Sequence, residues 1–411
     1  MVILRKLITP SRCVPTLALL VTGLSPSVLS AEENNPDVKI TTLELAPGLE
    51  VPLAEPKPID WDTVSPSRLL KLFLDQLRSD PSDEFEYRLK VMRQLVQHGD
   101  FKLAKEVVEG LGQANKSEAL AELACLMIES GRIEDGTGIL NEADGWRVHA
   151  QELHQESARR FLAIGYGRTG KWEKSEEMLK GIKYPIYRES ARGALLSPES
   201  DSKDVEEFLA LTDEPAVLPQ IDLLVRLADE KLAGGETEAA VKLLDDAGQR
   251  AFKMGKVTSY ARVAEIVKVL LKHGENSEAE VHLASFVRGI RQMASEMDEK
   301  GVSLARAAIF AMEIGKMTLA EELLTEAEDN IEHVFVLYAA RPLAAIAEAR
   351  VKMRKPERAM QLIEIAAKTS AAYDHVRGKA MGAVWVCLFC HVTGLSMEPE
   401  IREQMRRAAG G

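Results

Sequence analysis

Apolar residues recur along most of this chain at a helical spacing, and the helices they predict come in pairs joined at a glycine. In Gly315-Lys316-Met317-Thr318-Leu319-Ala320-Glu321-Glu322-Leu323-Leu324 a small residue stands five places after the glycine and a large apolar one nine places after it. The same frame returns at Gly99 (Ala104, Val108), Gly131 (Gly136, Leu140), Gly170 (Ser175, Leu179), Gly235 (Ala240, Leu244), Gly274 (Ala279, Leu283) and Arg354 (Ala359, Ile363). Seven places before these anchors stand Met92, Ala124, Ala163, Ala228, Val267, Ala308 and Ala347, a mostly alanine column that lets paired helices approach closely. The anchors are 32, 39, 65, 39, 41 and 39 residues apart, so the long interval holds two units, the hidden one turning near Ser202. Gly394, 40 residues after Arg354, is the last anchor. Helices that are apolar on one side bury that side only by stacking. A period of this size therefore predicts an all-α fold, an α-solenoid of antiparallel helix pairs with about eight to nine units, one of them degenerate.

The flanks read differently. Ser65-Pro66-Ser67 suits a helix start, with serine as cap and proline in the first turn. The predicted solenoid runs over 67–408, with a bend expected near 198–220, where Pro198, Pro215 and Pro219 interrupt the pattern. Residues 32–66 hold Pro36, Pro47, Pro52, Pro56, Pro58 and Pro66 without a helical period and read as an extended linker. Residues 1–31 read as a signal peptide: Arg5, Lys6 and Arg12 precede the uncharged run from Val14 to Leu24, and Val28-Leu29-Ser30-Ala31 offers small residues for cleavage. The segment from Glu400 to Arg407 predicts a short amphipathic helix capping the last pair with a polar outer face.

Composition changes the picture in one respect. Hydrophobic residues make up 46% of the chain and aromatic ones only 5%, as expected of an alanine- and leucine-rich helical protein. The net charge of −12 argues against general binding to nucleic acid or to an anionic membrane and favours basic partners. Together with the leader, this predicts an exported protein, periplasmic or secreted, without integral membrane insertion once the leader is removed.

With the turn glycine as fifteenth residue of a unit, small residues fall at the eighth place (Ala124, Ala163, Ala228, Ala308, Ala347), the twentieth (Ala104, Ala240, Ala279, Ala320, Ala359) and the twenty-seventh (Ala143, Ala247, Ala327, Ala366). In this the stretch from about 85 to 394 resembles the tetratricopeptide repeat family. Its units are longer than that family's, the closing proline is absent, and the unit around Pro198 has lost the pattern. The resemblance implies a scaffold that binds a protein or peptide partner in a concave groove, with no catalytic residues and no cofactor. The groove-facing places are assigned here to Arg93, Arg160, Arg168, Asp222, Asp229, Glu265, Arg341 and Glu348, mixed in sign.

Three stretches imitate chemical motifs. Gly165-Tyr166-Gly167-Arg168-Thr169-Gly170-Lys171 has the spacing of phosphate-binding loops, but a predicted helix precedes it, Trp172 follows the lysine, and Gly170 is the turn glycine. His149 and His154 are five apart, not the four that put two ligands on one helical face. Cys387-Leu388-Phe389-Cys390-His391 is the C-x-x-C-H spacing that attaches haem c, giving an alternative reading as an exported electron-transfer protein. The repeat register also accounts for both sulfurs, placing Cys387 in the alanine column and Cys390 in a core column. A helical-repeat enzyme acting on polysaccharide stands as a remoter alternative.

Overall fold

Each turn of the array is the same piece of backbone. In the computed structural model, which describes residues 59–196, 200, 202–212, 214–255 and 257–410, Gly99, Gly131, Gly170, Gly235, Gly274 and Gly315 all lie at φ between 75° and 81°, and Arg354 at 59°. At Gly315 the Gly315 N–H donates to Met312 O (2.9 Å) and the Lys316 N–H to Ala311 O (2.7 Å). That pair of bonds satisfies carbonyls which a helix end otherwise leaves open. The same two bonds recur at the other five glycines and at Arg354.

The helices are α1 (Pro66–Gln76), α2 (Pro81–Gln97), α3 (Phe101–Glu109), α4 (Gln113–Glu129), α5 (Ile133–Arg147), α6 (Glu152–Arg168), α7 (Trp172–Lys180), α8 (Pro185–Leu195), α9 (Ser202–Leu209) and α10 (Glu214–Ala233). They continue as α11 (Thr237–Met254), α12 (Val257–Lys272), α13 (Asn276–Arg291), α14 (Asp298–Glu313), α15 (Met317–Asn330), α16 (Ala340–Lys352), α17 (Pro356–Ala371), α18 (Val376–Thr393) and α19 (Pro399–Ala408). No strand occurs among the described residues. From α2 to α7 and from α10 to α17 successive helices form antiparallel pairs. The even-numbered helix of each pair also touches the next even-numbered helix, whereas successive odd-numbered helices mostly splay apart. The even helices therefore line the inner side. The chain is an α-solenoid.

Close pairing follows from the small columns. Gly136 sits against Ala124 so tightly that a Cβ there would lie 2.9 Å from the Ala124 carbonyl oxygen, and the Ser175 hydroxyl donates to the Ala163 carbonyl at 2.8 Å. Both contacts join the residue five after an anchor to the residue seven before it. Large apolar residues, such as Leu140, Leu244, Leu283 and Ile363, fill the space between pairs and are buried.

The first helix begins as expected, with the Ser65 Oγ accepting from the Arg68 N–H at 3.3 Å. The leader over 1–31 and residues 32–58 of the expected linker lie outside the described residues. The hidden unit is the short pair α8–α9, and Pro219 stands inside α10. There Gln220 Nε2 donates to the Phe208 and Leu211 carbonyls, both at 2.9 Å, so a side chain serves the end of α9. The array continues through this unit, α8 packing on both α6 and α10.

The two ends of the array meet, which the sequence pattern did not announce. α1 packs along α18 as its outer partner. Arg377 in the first turn of α18 pairs with Asp83 in the first turn of α2 (2.8 Å) and with Asp80 (2.9 Å). His391 in the last turn of α18 lies 2.9 Å from Asp100, which caps α3, and His98 after α2 lies 3.7 Å from Glu348 of α16. Starts pair with starts and ends with ends, so α2 lies beside α18 in register and the array closes on itself. The expected amphipathic helix is present as α19, with Ile401, Met405 and Ala408 buried and Arg406 and Arg407 exposed. α19 packs on α17 and α18, and Arg402 donates to the Trp61 and Val64 carbonyls (both 3.1 Å), so the last helix is tied to the segment that leads into α1.

Candidate functional site: the inner wall

Polar residues on the exposed side of the even helices meet across most of the helix–helix interfaces. From α2 to α4, Arg93 Nη2 donates to Glu122 (2.9 Å). From α4 to α6, Glu118 accepts from Ser157 (2.7 Å) and lies 2.6 Å from His154 Nδ1, while Glu129 pairs with Arg168. Arg226 of α10 donates to the Ala194 (2.7 Å) and Gly193 (2.6 Å) carbonyls of α8. Asp222 pairs with Arg262 (3.0 Å), and Asp229 with Lys272 (2.9 Å) and His273 (2.7 Å), joining α10 to α12. Glu265 pairs with Arg306 (2.5 Å) between α12 and α14, and Arg341 with Asp298 (3.1 Å) and Glu299 between α14 and α16. The Arg341 guanidinium then lies over the Trp385 ring of α18 (5.7 Å), and Trp385 lies 6.0 Å from the Tyr87 ring of α2.

The eight residues assigned to the groove thus all stand on this wall. Seven of them, all but Arg160, are engaged by a charged partner. Exposed ion pairs of this type stabilise by about 0–1 kcal/mol each, so the belt sets register between helices more than it adds stability. Glu118, Glu122, Glu129, Arg226, Arg262 and Arg306 complete the belt and were not assigned from the sequence. Glu122, Arg226, Glu265 and Arg306 all stand nine places before their anchors, a column that would have pointed to them.

Arg160 is the exception. Its guanidinium lies over the Phe161 ring (4.1 Å) and the Tyr187 ring of α8 (5.3 Å). Nη2 reaches only the Ser157 hydroxyl, at 3.4 Å, and the buried Nε has no hydrogen-bond partner. Glu118 and Glu122 lie near enough to favour its charge but are engaged by His154, Ser157 and Arg93. Burial lowers the pKa of Arg160, and burial with Arg168 nearby brings Arg226 down to about 10. A guanidinium left short of acceptors is costly, of the order of 1–3 kcal/mol per unsatisfied group, unless something else supplies them.

The imitated motifs are taken up by the fold. Gly165 and Gly167 lie inside α6, where added Cβ atoms would strike Leu140 and Leu195, and Gly170 is a turn. Cys387 and Cys390 are free thiols, at most 1% exposed in the core of α18. Burial pushes Cys390 up to about 12 and Cys387 well above the usual thiol range. As placed, the sulfurs fill the interior and the His391 ring lies 2.9 Å from the Asp100 carboxylate. No group of three or more His, Cys, Asp or Glu among the described residues is arranged to hold a metal. Two surface recesses, of about 500 and 350 Å³, lie away from this wall, one lined by Val287, Arg288 and Leu319, the other by Trp61, Pro399 and Arg402. No helix among the described residues is long and apolar enough to cross a membrane.

Paired helices, a repeated turn and a polar inner wall define a helical-repeat protein. No protein-family model matches the chain, and no curated protein matches it. Among solved structures it matches a "Circular tandem repeat protein with novel repeat topology and enhanced subunit contact surfaces", with 15% identity over 84% of this chain and 80% of that one and a TM-score of 0.22. At that score the architecture rests on the contacts described above.

Proposed function

We propose that this chain is an exported helical-repeat scaffold, tetratricopeptide-like in its units, that receives a segment of a protein partner on its inner wall and performs no catalysis there. Arg160 carries the reading. Among the described residues it is the wall arginine with neither a carboxylate nor a carbonyl acceptor, its guanidinium lies over the Phe161 and Tyr187 rings, and an acceptor brought by a partner would complete its hydrogen bonds. The remaining wall charges hold the inner helices in register so that this guanidinium keeps its place. The leader-like stretch around Val14 to Leu24 supports export, and the acidic surface supports solubility outside the cytoplasm.

The test is affinity capture from an envelope fraction, followed by binding measurements between the purified partner and Arg160→Glu. Binding is expected to weaken at least about tenfold, the effect of losing a charge-assisted contact. Arg168→Glu is the weaker probe, since it also breaks the pair with Glu129. Unchanged affinity in Arg160→Glu, with helical content preserved, would remove the inner wall as the site.

A further inference from the structure

Large apolar side chains are exposed unevenly around the array. Of the fourteen among the described residues, ten stand on the rim where an outer helix leads into the next inner one, three on the rim of glycine turns, and one on the outer face. The densest set lies where the ends of the array meet. Phe335 (67% exposed), Val336 and Tyr338 (44%) occupy the α15–α16 connection, and Val376 (53%) opens α18. Tyr338 bears on Tyr373 in the neighbouring α17–α18 connection, where burial first and Tyr338 second raise the Tyr373 phenol to about 12.

This patch is built rather than loose. The connection folds into two single 3₁₀ turns, Ile331–His333 and Val336–Tyr338, closed by Tyr338 N–H donating to Phe335 O (2.8 Å) and Ala339 N–H to Val336 O (3.2 Å). Ile331 and Val334 anchor it in the core, which leaves Phe335 and Val336 turned outward. A preorganised apolar loop loses little side-chain freedom when covered. The surrounding charge is acidic: among the described residues Glu296, Asp329 and Asp374 are exposed on the same rim and form no ion pair, whereas Arg341 and Arg377 are already held by acids.

We propose that the rim patch of Phe335, Val336, Tyr338 and Val376 docks a partner segment in which an aliphatic or aromatic anchor is flanked by lysines or arginines. The anchor covers the apolar loop and the flanking cations meet Glu296, Asp329 and Asp374. This surface is separate from the inner wall and stands whether or not Arg160 binds anything.

The probe is a short fluorescein-labelled peptide that alternates leucine and phenylalanine with lysine and arginine, titrated against the full chain by anisotropy. Its counterpart with glutamates in place of the cations, and zwitterionic phosphatidylcholine vesicles, are run beside it. The basic peptide is expected to bind in a salt-sensitive way, at least about tenfold more weakly to Phe335→Asp and to Val376→Asp, and equally well to Arg160→Glu. Full binding by both rim variants, or equal binding of the acidic peptide, would overturn the proposal. So would vesicle binding without peptide binding, or a concentration-dependent dimer in sedimentation that Phe335→Asp disperses, since either would assign the patch to lipid or to a second copy. Phe335 and Val376 are exposed, so both variants are expected to keep the parent's circular dichroism.

Discussion

Arg354 holds the left-handed backbone conformation that glycine holds at the equivalent turns. An L side chain there crowds its own carbonyl, at a cost of roughly 1–2 kcal/mol. Arg354→Gly is therefore expected to raise the unfolding free energy by about 1 kcal/mol, glycine's greater freedom in the unfolded chain offsetting part of the relief. Gly315→Ala, in the same geometry, is expected to lower it by about 1–2 kcal/mol. Urea titrations of the two variants check both signs, and a loss at Arg354→Gly would contradict this account of the turn. These turns were legible in the sequence because one residue type marks them at a constant distance from alanine and leucine columns. The isolation of Arg160 was not. Its spacing placed it on the inner helix, but what faces it is Tyr187, in the one unit that lacks the pattern, and a missing acid across an interface leaves no periodic trace.

Helix α18 shows the same limit one level up. Its register identified it as the last inner helix, with Cys387 and Cys390 in core columns, yet from Ala380 to Cys390 it is buried on every side. It needs a cover beyond the preceding pair. That cover is α1, whose Leu69, Leu70, Phe73 and Leu74 are fully buried. Periodicity showed that α1 is amphipathic, but not that its partner lies some three hundred residues away. Phe73→Ala is expected to destabilise by about 3–5 kcal/mol and to speed amide exchange in α18 as well as in α1. Exchange confined to α1 would mean that the two helices do not support each other.

Across the whole array, closure couples the outermost helices through carboxylates that respond to acid. Burial works against the charge of Asp100, but the Leu103 N–H and His391 outweigh it and hold the carboxyl below its usual range. A carboxylate depressed in this way stabilises the folded chain above its unfolded pKa, near 4, and loses that effect as the pH falls through the folded value. Asparagine keeps the helix cap but not the charge. Asp100→Asn is therefore expected to be less stable than the parent at pH 7, with a smaller difference at a pH below that of the unfolded carboxyl, near 4. Urea unfolding at the two pH values measures it, and a gap of constant size would assign the effect to the cap alone. Closure also departs from what the resemblance implies, since a tetratricopeptide array is open at both ends.

Because starts pair with starts and ends with ends, the number of units is fixed by geometry rather than left free. An open array can gain or lose a unit and simply change length. Here an added unit would hold Arg377 away from Asp83 and lift α1 from α18, so duplication of a single repeat carries a penalty paid far from the duplicated residues.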